Sequence, residues 1–326
     1  MHKQKYLQFC SSTAQQPWPV SELVVCRFAS FLAQSLSSVD SILNYLQGIK
    51  NWSLLLGHPV TAFSSPRLKL ILRGLRRQKR HQIRQALPIT PQILLSIKAA
   101  LNPSAVSDLV FWTLSLFAFF LTSRKSNLVP DYPHQFNPVR QLLRGDVQVK
   151  PSCIWVSFRW SKTIQYGQRS LSIPLRAIPG SPLCPIKAYS LMIQAVPAAA
   201  SQPAFLVPTE AGVAPYSYWQ WMARLKAAMS AAGLSADRYS THSFRRGGAS
   251  FAFQAGASVQ AIKTMGDWAS DAVNRYIYIP EDTRWQVASQ VTRAISSHFR
   301  RPHRPDQATT ASQDPHPRGF DGQQVE

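Results

Sequence analysis

The stretch that most constrains this chain is Leu109–Leu121, LVFWTLSLFAFFL. At 13 residues it falls short of the roughly 20 that a membrane helix needs. It therefore predicts a helix buried on every side, around which the rest of a domain must be arranged. A hydrophobic share of 45% is enough to build such a core, and 326 residues suffice for two domains. Met1–Gln8 is polar and basic and does not read as a secretory signal. Cys10, Cys26, Cys153 and Cys184 have no regular spacing, which fits incidental thiols in a reducing, intracellular setting.

The hydrophobic periods divide the chain. Ser21–Leu36 has Leu23, Phe28, Phe31 and Leu32 at helical spacing, with Ser21 as a candidate N-cap. Val39–Leu56 has Ile42, Leu43, Leu46, Ile49 and Trp52, with Gly57 as a stop. In Arg67–Arg84, Leu68, Ile71, Leu72 and Leu75 recur at i, i+3, i+4 and i+7. These segments predict an all-helical domain over 15–82, preceded by an extension (1–14) and followed by a linker (83–89). The second domain, 90–299, opens with helices at Gln92–Leu101 and Leu109–Thr122. Val147–Leu175 then alternates β-branched and aromatic residues in IWVSFRW and RSLSIPL, and Gly167 can turn the chain between them. That pattern predicts a β-hairpin or small sheet. Helices follow at Pro185–Val196, Tyr216–Ala232, Ser243–Ala255, Ser258–Met265 and Asp282–His298. The last carries Trp285, Ala288, Val291, Ile295 and Phe299 on one face. Residues 300–326 are poor in apolar side chains and read as a disordered tail.

Charge points to the partner. Lys and Arg number 36 against 15 Asp and Glu, for a net charge of +21. Such a field concentrates polyanions, and nucleic acid gains most from it through counterion release. Between Asp40 and Asp108 there is no acidic residue. Arg67, Lys69, Arg73, Arg76, Arg77, Lys79, Arg80 and Arg84 all fall in that interval, and Arg73, Arg76, Arg77 and Arg80 lie mainly off the apolar stripe. A solvated basic face would show the same run, but the missing acidic partners favour phosphate contact.

The candidate chemistry lies in Tyr239–Ile279, YSTHSFRRGGASFAFQAGASVQAIKTMGDWASDAVNRYIYI. Cleaving a phosphodiester takes a nucleophile, fixed positive charge for the phosphoryl oxygens and an acid for the leaving oxygen. Arginine suits the second task because its planar fork binds two oxygens and stays charged. His242 and Arg245 stand at a predicted helix start, with Thr241 or Ser243 as N-cap, and Arg246 follows as a further phosphate ligand. Gly247 and Gly248 let a backbone or a DNA strand approach closely there. Taken alone, His242 could equally be a satisfied core histidine.

The set as a whole resembles the tyrosine recombinase (phage-integrase-like) superfamily over about residues 20–297. FAFFLTSRKSNLVP puts Arg124 at the end of the apolar helix, and WSKTIQYGQRSLSIPL puts Lys162 in a hairpin turn. HSFRRGGAS supplies His242 and Arg245, and GDWASDAVNRYI supplies Trp268 and Tyr276. The flavour of these segments, with RGLRRQ, is that of DIRS, Ngaro and Crypton mobile-element recombinases. The resemblance implies a mainly α fold. An all-helical, SAM-like core-binding domain would precede an α+β catalytic domain. It implies a site-specific DNA recombinase or integrase working through a 3′-phosphotyrosyl intermediate.

In that scheme Tyr276 attacks the phosphate, and Arg124 and Arg245 hold its oxygens. Lys162 protonates the leaving oxygen, His242 assists the nucleophile, and the Trp268 indole donates to the phosphate. No cofactor, metal, membrane or small-molecule substrate is implied. The partners are double-stranded DNA and further copies of the chain, in a DNA-dependent tetramer. The helix Trp285–Phe299 would either dock in a neighbouring subunit or pack within its own chain. A DNA substrate and a basic run imply a nuclear location in a eukaryote.

Two departures from the pattern stand out. Asn127 occupies a position that is often acidic, and Asp267 stands where a histidine is frequent, with Trp268 one residue later. Tyr278 is a rival nucleophile. The competing readings are a silent DNA-binding protein of the same fold and a type IB topoisomerase-like nicking–closing enzyme.

Overall fold

Among the described residues, four α-helices build the first of two units, Met1–Gln85. The computed structural model describes residues 2–79, 86–166, 169–279 and 281–299. The helices are α1 (His2–Ser12), α2 (Glu22–Ser35), α3 (Val39–Leu55) and α4 (Pro66–Lys79). Their starts follow from capping hydroxyls. Ser21 Oγ accepts from the Val24 amide at 3.2 Å, Ser38 Oγ from Asp40 at 3.2 Å, and Ser65 Oγ from Leu68 at 3.1 Å. Phe28, Leu32, Ile42, Leu46, Ile49 and Leu68 are buried together, and Ile71, Leu72 and Leu75 complete the expected stripe of α4.

Most of the segment set apart as an extension, 1–14, forms α1. Its Tyr6, Phe9 and Cys10 are buried in the same core. Tyr6 and Phe9 meet Phe28 at ring separations of 5.1 and 5.2 Å. Tyr6, Phe9 and Cys10 recur at i, i+3 and i+4, so one face of a mostly polar segment can pack.

The second unit, Ala86–Glu326, has its own core. It runs through α5 (Pro91–Ala99), α6 (Val106–Phe120), the short α7 (Lys125–Leu128), β1 (Val147–Val149), β2 (Cys153–Phe158) and β3 (Leu171–Arg176). It continues with α8 (Pro185–Ala195), β4 (Leu206–Thr209), β5 (Gly212–Pro215), α9 (Tyr218–Ala231), α10 (Thr241–Gln254), α11 (Val259–Met265) and α12 (Glu281–Phe299). As its composition requires, α6 is buried continuously from Val110 to Phe119. It packs against α8, α10 and β4. Among the described residues no helix is long and apolar enough to cross a membrane.

The expected hairpin is the β2–β3 pair of a three-stranded antiparallel sheet ordered β1-β2-β3. Val156 faces both Val147 and Ile173, and Ile154, Val156 and Phe158 are buried in the alternation that one covered face demands. A second hairpin, β4–β5, has no counterpart in the sequence reading. In α12 every residue from 284 to 296 is exposed. Residues 300–326, with Gly167, Arg80 and Arg84, lie outside the described residues, as do 83–85 of the expected linker. The remaining linker residues are bound into the second unit: the Leu87 amide donates to Arg238 O at 2.8 Å, and the Ile89 amide to Ser243 O at 3.0 Å.

Candidate active site

Helix α6 hands over to the site through Thr122, whose φ of +46° turns the chain sharply. Arg124 follows at the start of α7. Helix α10 lies against this corner. A Cβ on Gly248 would stand 1.9 Å from Phe119 O, and one on Gly247 would stand 1.8 Å from Ile89 O. The close approach expected at the glycine pair is thus made by the chain's own backbone. Arg246 joins the same packing, because its guanidinium donates to the Ala86 carbonyl, and burial lowers its pKa.

The residue ahead of α10 is Ser240, so neither Thr241 nor Ser243 is the N-cap. Ser243 Oγ instead accepts from the Ser240 amide at 3.0 Å. His242 is exposed on the first helical turn, and Arg245 one turn later is only 1% exposed. Arg245 donates through one terminal nitrogen to Thr122 O and through the other to Gly266 O, at 2.8 Å. Its guanidinium stacks 3.6 Å from the centre of the Trp268 ring and 5.3 Å from that of Tyr276. Trp268 and Tyr276 meet edge to face at 5.2 Å. Arg124 donates to Asp267 O at 3.1 Å.

The structure therefore brings Arg124, Arg245, Trp268 and Tyr276 together around the Gly266–Asp267 peptide. Trp268, not Asp267, is the residue of this pair that packs on Arg245 and Tyr276. Tyr278 is 47% exposed, and its amide is held by Ser250 Oγ at 2.8 Å.

Lys162 is exposed in the β2–β3 connection. Its neighbours Ser161 and Thr163 both donate to the Asp267 carboxylate, as does Arg169 from the other limb of the hairpin. Arg124 Nη1 lies 3.7 Å from the same carboxylate. Asn127 is buried beside this cluster, and its amide donates to Trp160 O at 3.0 Å. Asp267 and Arg169 are the site residues that sequence reasoning did not select. The signal was an acidic side chain inside the GDW motif of a chain so poor in acids.

His242, Arg245 and Asp267 are tuned by their surroundings. His242 is open to solvent on one side yet largely surrounded by protein atoms, so desolvation first, and then Arg245, Lys125 and Arg124, hold it below the ordinary imidazole value. At neutral pH it is an uncharged proton acceptor. Burial, with Arg124 nearby, pushes Arg245 down to about 9, so it stays protonated at neutral pH. Burial acts to raise Asp267. It is outweighed by the hydrogen bonds from Ser161, Thr163 and Arg169, and the carboxyl stays below its ordinary value.

On α4, Arg67, Lys69, Arg73, Arg76 and Arg77 are exposed. Arg76 does find an acid, Asp40, at 3.6 Å. Lys79 is turned inward, with Nζ 2.6 Å from Ala33 O.

No family model matches this sequence, and no curated protein matches it. Solved structures do match in three dimensions. The Tn1549 transposon integrase in complex with transposon right end DNA gives a TM-score of 0.58 at 12% identity, covering 89% of this chain and 92% of that one. A lambda integrase dimer bound to a COC′ core site gives 0.53 at 14%, with 83% and 86% covered. The XerH site-specific recombinase bound to palindromic difH substrate gives 0.54 at 13%, with 84% and 70% covered.

This chain has the tyrosine-recombinase fold.

Proposed function

We propose that this protein is a site-specific DNA recombinase that cuts and rejoins duplex DNA through a 3′-phosphotyrosyl intermediate. The observation that carries the reading is the convergence of Arg124, Arg245, Trp268 and Tyr276 on one short peptide, from positions up to 152 residues apart. In this scheme Arg124 and Arg245 hold the non-bridging oxygens of the scissile phosphate. Neutral His242 takes the phenol proton of Tyr276 as its oxygen bonds to phosphorus. Lys162 gives a proton to the departing 5′ oxygen. Trp268 backs the Arg245 guanidinium. The exposed cations Arg67, Lys69, Arg73, Arg76 and Arg77 contact the DNA backbone.

Exchange of strands between two duplexes needs four such sites. The open apolar row of α12 is suited to hold copies together, so we propose a DNA-bound tetramer. The mobile-element flavour of the motif segments supports an origin in such an element, and the basic run of α4 supports a nuclear location in a eukaryote.

A second reading has its own observation in its favour. Both terminal nitrogens of Arg245 are engaged by backbone carbonyls, and the side chain is almost wholly buried. A cleaving enzyme must turn the remaining N–H donors of Arg245 to the phosphate, whereas a silent DNA-binding protein of the same fold need not.

Covalent capture separates the two. The protein is incubated with a nicked, random-sequence duplex library and denatured, and DNA remaining attached is sequenced, with Tyr276→Phe and Tyr278→Phe in parallel. Adducts lost only in Tyr276→Phe support the recombinase. Duplex binding without an adduct from any form supports the silent protein.

A further inference from the structure

We infer that Asp267 is a positioning residue whose carboxylate ties the turn bearing Lys162 to the Arg124–Arg245 pair. The inference rests on the recombinase reading and deepens it by saying what fixes the leaving-group acid.

Three hydrogen-bond donors and one ion-pair partner, from three parts of the chain, converge on this one carboxylate, which is 6% exposed. One oxygen accepts from Ser161 and Thr163 and lies 3.7 Å from Arg124 Nη1; the other accepts from Arg169. Ser161 and Thr163 flank Lys162 directly. Ser161 Oγ also receives the amides of Thr163, at 3.0 Å, and Ile164, at 3.1 Å, so the turn is wound around the hydroxyl that Asp267 holds. Arg169 closes the opposite limb of the hairpin. With both neighbours of Lys162 pulled inward, the lysine is left on the outer side, exposed.

The backbone makes this geometry compatible with the arginines. Asp267 has φ +55°, a left-handed conformation that Asp and Asn tolerate better than most residues. The turn sends the carboxylate to the hairpin while the carbonyls of Gly266 and Asp267 accept from Arg245 and Arg124.

A lysine on a free hairpin turn has many rotamers and a moving base, and catalysis gains when that freedom is removed beforehand. In the step served here, the Tyr276 oxygen bonds to phosphorus as its proton passes to His242. The bond from phosphorus to the 5′ oxygen breaks, and that oxygen takes a proton from the Lys162 ammonium.

The test uses the duplex recovered by covalent capture with the full chain. It is made once with the ordinary scissile phosphate and once with sulfur in place of the bridging 5′ oxygen. A thiolate departs without a proton, so the sulfur duplex needs no acid. Asp267→Asn keeps the backbone conformation and the carbonyl that Arg124 uses, but it loses the ionic hold on the turn. Ser161→Ala combined with Thr163→Val loosens the same tie from the hairpin side, and Lys162→Ala marks the full loss of the acid.

The expected result is adduct formation at least about tenfold slower in all three on the ordinary duplex, with duplex affinity retained and the rate restored on the sulfur duplex. Equal loss on both duplexes, or no loss in Asp267→Asn and in the Ser161→Ala, Thr163→Val pair, overturns this inference alone. A wild-type chain that captures no duplex overturns the recombinase reading and this inference with it.

Discussion

Arg245 and Trp268 are stacked, with the guanidinium carbon 3.6 Å from the ring centre and both side chains buried. Trp268 also anchors a small cluster with Ala249, Ile262 and Val273. Removing its ring leaves a cavity and a buried cation without its platform. Trp268→Ala is expected to destabilise the second unit by about 3–5 kcal/mol and to abolish adduct formation. Trp268→Phe keeps a ring under Arg245 and should retain measurable cleavage at a smaller stability loss. Denaturant unfolding and covalent capture of the two variants check this, and equal behaviour of both would refute the stacking role.

Much of this arrangement was legible because its parts obey local rules. The uninterrupted apolar run gave α6, and the alternation around Val156 gave β2 and β3. The ordered motif segments singled out Arg124, Arg245, Trp268 and Tyr276, four side chains that the fold brings together. Helix α1 escaped because Tyr6, Phe9 and Cys10 sit among His2, Lys3, Gln4, Lys5 and Gln8, where polar composition hides a three-residue packing face. The hairpin β4–β5 escaped because Pro208 and Pro215 argue against strands. Asp267 was set aside as an irregularity of register. Its role depends on a left-handed turn and on donors roughly a hundred residues upstream, and one-dimensional spacing encodes neither.

The histidine makes a pH prediction whose sign is fixed. His242 has its folded pKa depressed below the unfolded value of 6.5, so below that pH the unfolded chain binds more protons than the folded one. The second unit should therefore lose stability as pH falls from about 6.5 towards the folded pKa and be insensitive to this group above it. His242→Gln should flatten that acid limb and also flatten the acid limb of the cleavage rate. A limb unchanged in the variant, in thermal melts across pH, would assign it to other groups.

Helix α4 carries both exposed cations and one cation bonded within the unit. Arg67, Lys69, Arg73 and Arg77 are exposed, and each alanine variant should lower the slope of log affinity against log salt by about 0.9, with little change in stability. Lys79 is bonded to Ala33 O, so Lys79→Ala should loosen the first unit and leave that slope unchanged. Asp40→Asn frees Arg76 from an exposed pair that is itself worth at most about 1 kcal/mol. It should make duplex binding tighter and steeper in salt. Titrations at several salt concentrations read all of these together.

The apolar row on α12 makes the last prediction. Trp285 is 67% exposed, and Val291 and Ile295 are 54% exposed, on a helix whose residues 284–296 are all open to solvent. Large apolar side chains aligned on one face are costly to leave in water and are the kind of group that anchors an interface. If copies of the chain meet through this face on DNA, Trp285→Ser with Ile295→Ser should weaken the assembly at least about tenfold while leaving each active site intact. Sedimentation with captured duplex should then show the multimer lost, and denaturing gels should show the adduct retained. Loss of the adduct along with the multimer would mean that α12 completes the active site itself. An unchanged multimer would mean that the copies meet elsewhere.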